Sequence, residues 1–218
     1  DIIRRALTHG WYEAAESEAV DLMLREGDVV VEFGAGCGFI SAYVALSGKA
    51  RRVHAVEANP NLIPIIARTH ALTGTMVEIH NELAGPADGT HDFILNRDFW
   101  ASAMAGVKGE HVRLPMRAFK ARMGQWRPSF VIMDIEGAEL DLVRLGFPRH
   151  VERVVLEVHE SAYGASGVAE IRQRMADQGF QSVPAASKGP IMGFERPQIG
   201  PAWLRALKRV VWRFAPAF

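Results

Sequence analysis

The sequence predicts an α/β fold built on a doubly wound, mostly parallel sheet, and three observations carry that reading. An apolar strand, Val29-Val30-Val31-Glu32-Phe33, runs directly into a loop with glycine at positions 34, 36 and 38. Strands then alternate with helical stretches along the chain, the pattern that right-handed crossovers produce. Polar residues close the strands, at the carboxyl ends where ligands bind in such sheets. Those residues are Glu32, Glu57, Asn81 with Glu82, Asp134 with Glu136, and Glu157 with His159.

Taken in order, the segment up to Arg25 reads as a helix, and Gly27-Asp28 turns the chain into the first strand. That strand is β-branched throughout, as suits a sheet covered on both faces. The glycines behind it allow a sharp turn and close backbone approach to a ligand. Cys37, inside the loop, is read as a small residue that fits. Phe39 to Leu46 has the apolar spacing of a helix whose N-terminus faces the ligand. Arg52 to Glu57 alternates and ends on a carboxylate about twenty residues past the loop, the offset of a ribose-binding acid. Asn59 and Pro60 look like the N-cap and first residue of a helix through Ile65, Ile66 and Ala67 that stops near Gly74. Met76 to His80 reads as a third strand.

From Gly85 to Gly109 the periodicity breaks, which suggests an insertion or lid. It contains the alternating piece His91 to Leu95 and a small-residue run around Ala101 to Gly106. Phe130 to Asp134 and Val151 to His159 give the fourth and fifth strands, separated by a helix through Leu140, Leu142 and Val143. Further strands near Phe180 and Ile191 to Phe194 are expected to form an antiparallel edge. The expected organisation is a single domain over 1–200 with a variable insertion near 85–114, followed by a basic amphipathic tail helix over 201–218. In that tail Leu204, Leu207, Val211 and Phe214 share a stripe, while Arg205, Lys208, Arg209 and Arg213 lie largely elsewhere. Such a helix docks on its own domain, on a partner or on a membrane surface.

Composition narrows the classes of function. The 25 basic residues are balanced by 25 acidic ones, so no general affinity for nucleic acid is expected. No stretch has the length of a membrane span. A single cysteine excludes an internal disulfide and points to a reducing, cytoplasmic setting. Glycine spacing separates the ligand classes: a dinucleotide fingerprint counted from Gly34 needs a third glycine where Phe39 stands, which disfavours a nucleotide-dependent oxidoreductase. A non-catalytic module that retains the pocket stays open as an alternative.

The acidic residue Glu32 followed by Gly34, Gly36 and Gly38 resembles the first motif of S-adenosylmethionine-dependent methyltransferases. With Val56-Glu57-Ala58-Asn59-Pro60 and Met133-Asp134-Ile135-Glu136-Gly137-Ala138-Glu139-Leu140 added, the chain resembles the FkbM family of methyltransferases up to the basic tail. Trp11-Tyr12-Glu13 and Glu16 are similar to that family's lead-in. Cys37 and Ala58 depart from residues frequent in the family. The resemblance implies a Rossmann-like, seven-stranded sheet of the class I methyltransferase type. It also implies transfer of the methyl group of S-adenosylmethionine to an oxygen, commonly a hydroxyl of a sugar, glycan or secondary metabolite. The expected cofactor contacts are Glu32, Gly34, Ala35, Gly36, Gly38, Phe39, Glu57, Ala58, Asn81, Glu82 and Asp134, with the adenine near Asn81 and Glu82. No Asn-Pro-Pro-aromatic motif follows the fourth strand, which argues against methylation of amino groups on bases.

An activated methyl group leaves the protein two tasks, alignment of the reactants and removal of a proton from the acceptor. Glu136, His159 and Asp134 are the catalytic candidates. The histidine's ordinary pKa suits a base near neutrality, whereas Glu136 needs burial or a neighbouring anion to raise its own. For the two carboxylates, capping the next helix or ordering the loop is the alternative role, and for His159 a satisfied strand-end position. No closely spaced set of metal ligands enforces a divalent cation.

Overall fold

The structure, a computed structural model, describes residues 13–95 and 110–197. The lead-in at Trp11 and Tyr12, the run around Ala101 to Gly106 and the basic tail at 201–218 lie outside the described residues. The elements are α1 (Ala14–Met23), β1 (Asp28–Phe33), α2 (Phe39–Leu46), β2 (Ala50–Glu57), α3 (Ile63–Thr73), β3 (Glu78–Asn81), β4 (Leu83–Gly85), β5 (Gly89–Leu95) and β6 (Glu110–Ala118). They continue with α4 (Phe119–Trp126), β7 (Phe130–Met133), α5 (Glu139–Leu145), β8 (Arg153–Glu157), α6 (Glu160–Asp177), β9 (Gln181–Ser182) and β10 (Ile191–Glu195).

The main sheet has seven strands in the order β3-β2-β1-β7-β8-β10-β9. Pairings from β3 to β8 are parallel, and β10 runs antiparallel to both β8 and β9. This is the Rossmann-like sheet expected from the sequence, with one refinement: the antiparallel strand is the second from the edge, and the two-residue β9 forms the edge. Every residue of β1 and β7 is buried, because helices cover both faces. Alternate residues divide between two cores. Val31, Phe33, Val131, Met133, Val154 and Leu156 pack with Phe119, Met123, Ile171 and Met175. Val30, Val53, Phe130, Ile132 and Val155 pack with Ala19, Val20, Ile40 and Val44.

One ion pair ties the start of β1 to the start of β8. Arg153, 1% exposed, donates from Nη1 to Asp28 Oδ2 and from Nη2 to Asp28 Oδ1, each at 2.7 Å. Ser129 Oγ and the Arg25 N–H supply further bonds to the same carboxylate, both at 2.7 Å. The buried charges are therefore matched and hydrogen-bonded, the condition under which burial is tolerated.

Several boundaries differ from the sequence reading. The helix after β2 begins at Ile63, not Pro60, because Asn59 Oδ1 accepts the N–H of Asn61 at 3.0 Å and closes a local turn first; Gly74 ends the helix as expected, at φ 66°. The third strand begins at Glu78, Met76 being 93% exposed. The fifth stops at Glu157, since His159 already caps α6.

The largest difference is the insertion. Its described parts, 83–95 and 110–118, supply a second sheet of three strands in the order β4-β6-β5, which the sequence reading of an insertion or lid did not include. β5 and β6 are antiparallel from Gly89↔Met116 to Leu95↔Glu110, and β4 runs parallel to β6. Leu83, Phe93, Leu95 and Leu114 form its core, with Ala58 packed against it, so this sheet stands beside the turn that follows β2. Helix α4 is absent from the sequence reading. Its signal is the buried spacing Phe119, Met123, Trp126.

Candidate functional site

The strand order reverses between β1 and β7, and in sheets of this kind ligands bind at the carboxyl ends of the strands beside such a reversal. The loops that leave these two strands touch at Gly34 and Asp134. Gly34 has φ +84°, and a Cβ there would stand 1.6 Å from the carbonyl oxygen of Asp134, so the approach requires glycine. Asp134 N–H donates to Phe33 O at 2.9 Å, and the N–H groups of Gly34 and Ala35 both donate to Val56 O, at 2.9 and 3.1 Å.

Glu57, at the end of β2, is fixed by the same loop. Its Oε2 accepts the N–H of Gly36 at 2.9 Å and its Oε1 accepts the N–H of Asn59 at 2.7 Å. The carboxylate keeps acceptor capacity beyond these N–H groups for a ligand's hydroxyl donor. Burial pushes its pKa up, against the pull of the N–H groups of Asn59, Gly36 and Ala58. Asn81 Nδ2 donates to the carbonyls of Glu57 and Ala58, both at 2.9 Å, and so braces the turn from the neighbouring strand. Arg122 of α4 holds the Glu82 carboxylate through Nε at 2.8 Å and through Nη2, so that carboxylate is already paired within the protein. Phe39 opens α2 and stacks on Tyr43.

Glu32 is buried, and its Oε2 has no hydrogen-bond partner among the described residues. Burial first, then the negative charge of Glu13, holds its carboxyl well above the ordinary range, with a hydrogen bond from Ser41 working the other way. Glu16 of α1 is raised in the same manner by burial and by nearby carboxylates, including Glu13, Asp134 and Glu32.

On the β7–β8 side, Asp134, Glu136 and His159 do meet. His159 Nε2 lies 3.6 Å from Asp134 Oδ1 and 3.4 Å from Glu136 Oε2. The organiser of this group is Glu139, which the sequence reading quoted within the motif without giving it a role. It is fully buried, and its Oε1 accepts the N–H of Ile135 at 2.9 Å and of Gly137 at 3.2 Å. The same oxygen accepts Nδ1–H of His159 at 3.2 Å. The loop that presents Asp134 and Glu136 is thereby tied to the histidine. Glu136 itself sits at φ 54° and Gly137 at φ 108°; a Cβ on Gly137 would come within 2.6 Å of Ala162. The spacing of Glu139 from the next strand's histidine gives no sequence signal for the contact, which arises from the parallel pairing of β7 with β8.

Electrostatics follow from an excess of anions. Burial of the His159 ring disfavours its charge, but the hydrogen bond and charge of Glu139, with Asp134 and Glu136, outweigh this and raise its pKa to about 9. Burial and the charges of Glu157 and Glu136 raise Asp134 to about 8. Glu136 is raised by burial and by Glu157 and Glu139, against His159. Buried polar groups whose protonation is displaced in this way are concentrated where ligands and reacting groups bind.

Two groups of side chains bring three potential metal-ligand atoms within 4.8 Å of one another among the described residues, although spacing in the sequence enforces neither. One is Asp134, Glu139 and His159, where Glu139 is already occupied by backbone N–H groups. The other is His54, Glu78 and His80, on β2 and β3.

Comparison with known proteins places the family and the fold. The family described as the methyltransferase FkbM domain matches residues 28–182. A curated relative, ribosomal RNA small subunit methyltransferase A of Rubrobacter xylanophilus, is 38% identical over 77 residues, which are 35% of this chain and 28% of that protein. The chain thus spans a little over a quarter of that relative's length. Among solved structures, methyltransferase FkbM from Methylobacillus flagellatus superposes with a TM-score of 0.54 at 15% identity, covering 82% of this chain and 47% of the other. An rRNA methylase from Streptococcus thermophilus superposes with a TM-score of 0.52 at 12% identity, covering 84% and 95%. These two likenesses describe the fold. Among the described residues, no helix is long and apolar enough to cross a membrane.

Proposed function

This chain belongs to the FkbM methyltransferase family, whose methyl donor is S-adenosylmethionine, and from that premise we propose that it methylates a hydroxyl oxygen of a small-molecule or carbohydrate acceptor. The observation that carries the proposal is the His159 ring, fixed on one nitrogen by Glu139 and facing Asp134 and Glu136 with the other.

The residues fit the donor. It brings a sulfonium, an ammonium and one carboxylate, a net charge of plus one, and the site presents buried carboxyl oxygens without hydrogen-bond partners among the described residues, Glu32 Oε2 and Asp134 Oδ1, whose ionised form a nearby positive charge would favour. Glu57 would take the ribose hydroxyls, Gly34 and Gly36 would give the backbone approach, and Asn81 would border the adenine. When bound, the donor supplies a methyl group already activated for displacement. The protein's own contribution is placement of the acceptor and removal of its proton.

For that proton His159 is the base. Donation of Nδ1–H to Glu139 fixes the tautomer of the neutral ring, so the lone pair sits on Nε2 once that nitrogen has lost its proton, a fraction that grows as pH approaches about 9. Glu136 and Asp134, 3.4 and 3.6 Å away, stabilise the imidazolium that forms there. The anion-rich rim of Asp134, Glu136 and Glu157 favours a neutral polyol over a phosphate-bearing acceptor, because anions brought close in a partly buried site repel.

The test is incubation of purified protein with S-adenosylmethionine and a panel of sugars, glycans, hydroxylated metabolites and structured RNA, read by mass spectrometry. A gain of one methyl on a hydroxyl, lost in His159→Ala, is expected. Methylation confined to RNA, or to a nitrogen, would overturn the assignment of the acceptor.

A further inference from the structure

We propose that His54, Glu78 and His80 form a binding site for one divalent transition-metal ion, zinc in the first instance, at the edge of the main sheet. The register pairs His54 with Glu78 and Val56 with His80. With a side-chain period of two, all three residues therefore emerge on one face of two adjacent strands. His54 Nδ1 lies 3.1 Å from His80 Nε2 and 3.5 Å from Glu78 Oε2. Ligands at the corners of a tetrahedron stand about 3.3 Å apart when their bonds to zinc are about 2.0–2.1 Å, so these separations bracket the required edge.

The donor set selects the ion. Two imidazoles and one carboxylate suit zinc and its neighbours, whereas magnesium and calcium take all-oxygen surroundings. The rings are held in place without a metal: His54 stacks on Trp126 with centroids 4.7 Å apart at 18°, and His80 lies 4.6 Å from the same ring. The two facing nitrogens otherwise share one proton as a hydrogen bond; when a metal ion enters between them, the imidazole that donated this proton carries it on its other ring nitrogen instead, so both facing lone pairs are free to ligate. Arg52 pairs with Glu78 through Oε1, at 3.3 Å, which leaves Oε2 turned to His54. Because β3 is an edge strand and Glu78 is half exposed, solvent reaches the cluster and can fill the fourth position. The ion would join β2 to β3 next to Glu57 and Asn81, which pair with each other at the ends of the same strands.

The experiment is calorimetric titration of zinc chloride into tag-free, chelator-treated protein, with Glu78→Gln, His80→Ala and His159→Ala as variants and far-UV circular dichroism as the check on folding. Expected is one zinc per chain in the wild type and in His159→Ala. Affinity should fall at least about tenfold in Glu78→Gln and His80→Ala. Glu78 is exposed enough that its variant should fold, which keeps the test decisive even where His80→Ala does not. Absence of zinc binding in the wild type, or binding that survives Glu78→Gln and disappears in His159→Ala, would overturn the site.

Discussion

Replacing Glu139 by Gln separates its positioning of His159 from its charge. Retention of the His159 proton up to about 9, against an ordinary 6.5, represents about 3 kcal/mol in favour of the charged ring, achieved despite burial. Three carboxylates supply it from 3.2, 3.4 and 3.6 Å, and Glu139 is the nearest and the one that is hydrogen-bonded to the ring. Its loss should remove at least a third of that energy, about 1 kcal/mol or more, and lower the ring's pKa by about one unit or more. The neutral, proton-accepting form then becomes populated at lower pH. The limiting rate at high pH should nevertheless fall, because an amide in place of the carboxylate no longer holds Nδ1–H so strongly and Nε2 loses its fixed role. The assay has two readings. Imidazole resonances of His159, identified by their absence in His159→Ala, give the titration directly and need no acceptor. The pH profile of kcat/KM gives the same ionisation once an acceptor is found. A His159 that titrates near 6.5 in the wild type, or a midpoint unmoved in Glu139→Gln, would refute the reasoning.

Three further outcomes are expected. Glu57→Ala should weaken S-adenosylhomocysteine binding by about 1–3 kcal/mol, measured by calorimetry, since it removes a charged acceptor that the Gly36 and Asn59 N–H groups hold in place; unchanged affinity would move the ribose site elsewhere. Asp28→Asn should lower unfolding free energy by about 3–5 kcal/mol in urea, because it leaves the buried guanidinium of Arg153 with only the half-exposed carboxylate of Glu152, 3.5 Å from Nη2, as counter-ion; a loss below about 1 kcal/mol would show the pair with Asp28 to be solvated. The unliganded protein should lose thermal stability as pH rises from about 6.5 to 9. Both His159 and Asp134 bind their protons more tightly when folded, so each contribution is complete below the group's unfolded pKa and is lost as pH rises through the folded one: from 6.5 to about 9 for His159, and from 3.8 to about 8 for Asp134, whose loss is already under way at pH 6.5. A melting temperature flat over that interval, or an equal slope in Asp134→Asn with His159→Ala, would contradict this.

The main sheet was legible because its strands are short apolar runs bounded by turns, and because two-sided burial leaves few other readings of Val29 to Phe33 or Phe130 to Met133. Glu57 was legible for the same reason: a fixed offset behind a glycine loop is a property of one βαβ unit. Contacts between units were not. Glu139 reaches His159 across twenty residues only through the pairing of β7 with β8, and His54 reaches His80 only through that of β2 with β3. The second sheet was hidden by another cause. Its strand β6 contains Pro115 and joins β5 across residues read as a lid, while Phe119, Met123 and Trp126 form a three-point stripe too brief to stand out without its packing partners.

The anion excess at the switch point has a direction. Asp28 is also a buried carboxylate, but Arg153 matches it, so that pair closes on itself and serves the fold. Glu16, Glu32, Asp134 and Glu136 come from three different elements and loops, with His159 the one nearby cationic side chain in contact with any of them among the described residues, and each is pushed toward retaining its proton. Such a cluster makes the free protein less stable than a paired one would be, and a ligand that brings positive charge relieves it by the same electrostatics. The donor's sulfonium and ammonium are charges of that sign. A polyanionic acceptor would restore the repulsion that the donor removes, whereas a neutral hydroxyl compound, the acceptor proposed above, would leave the relief intact and carry a proton that His159, freed of its own, could take.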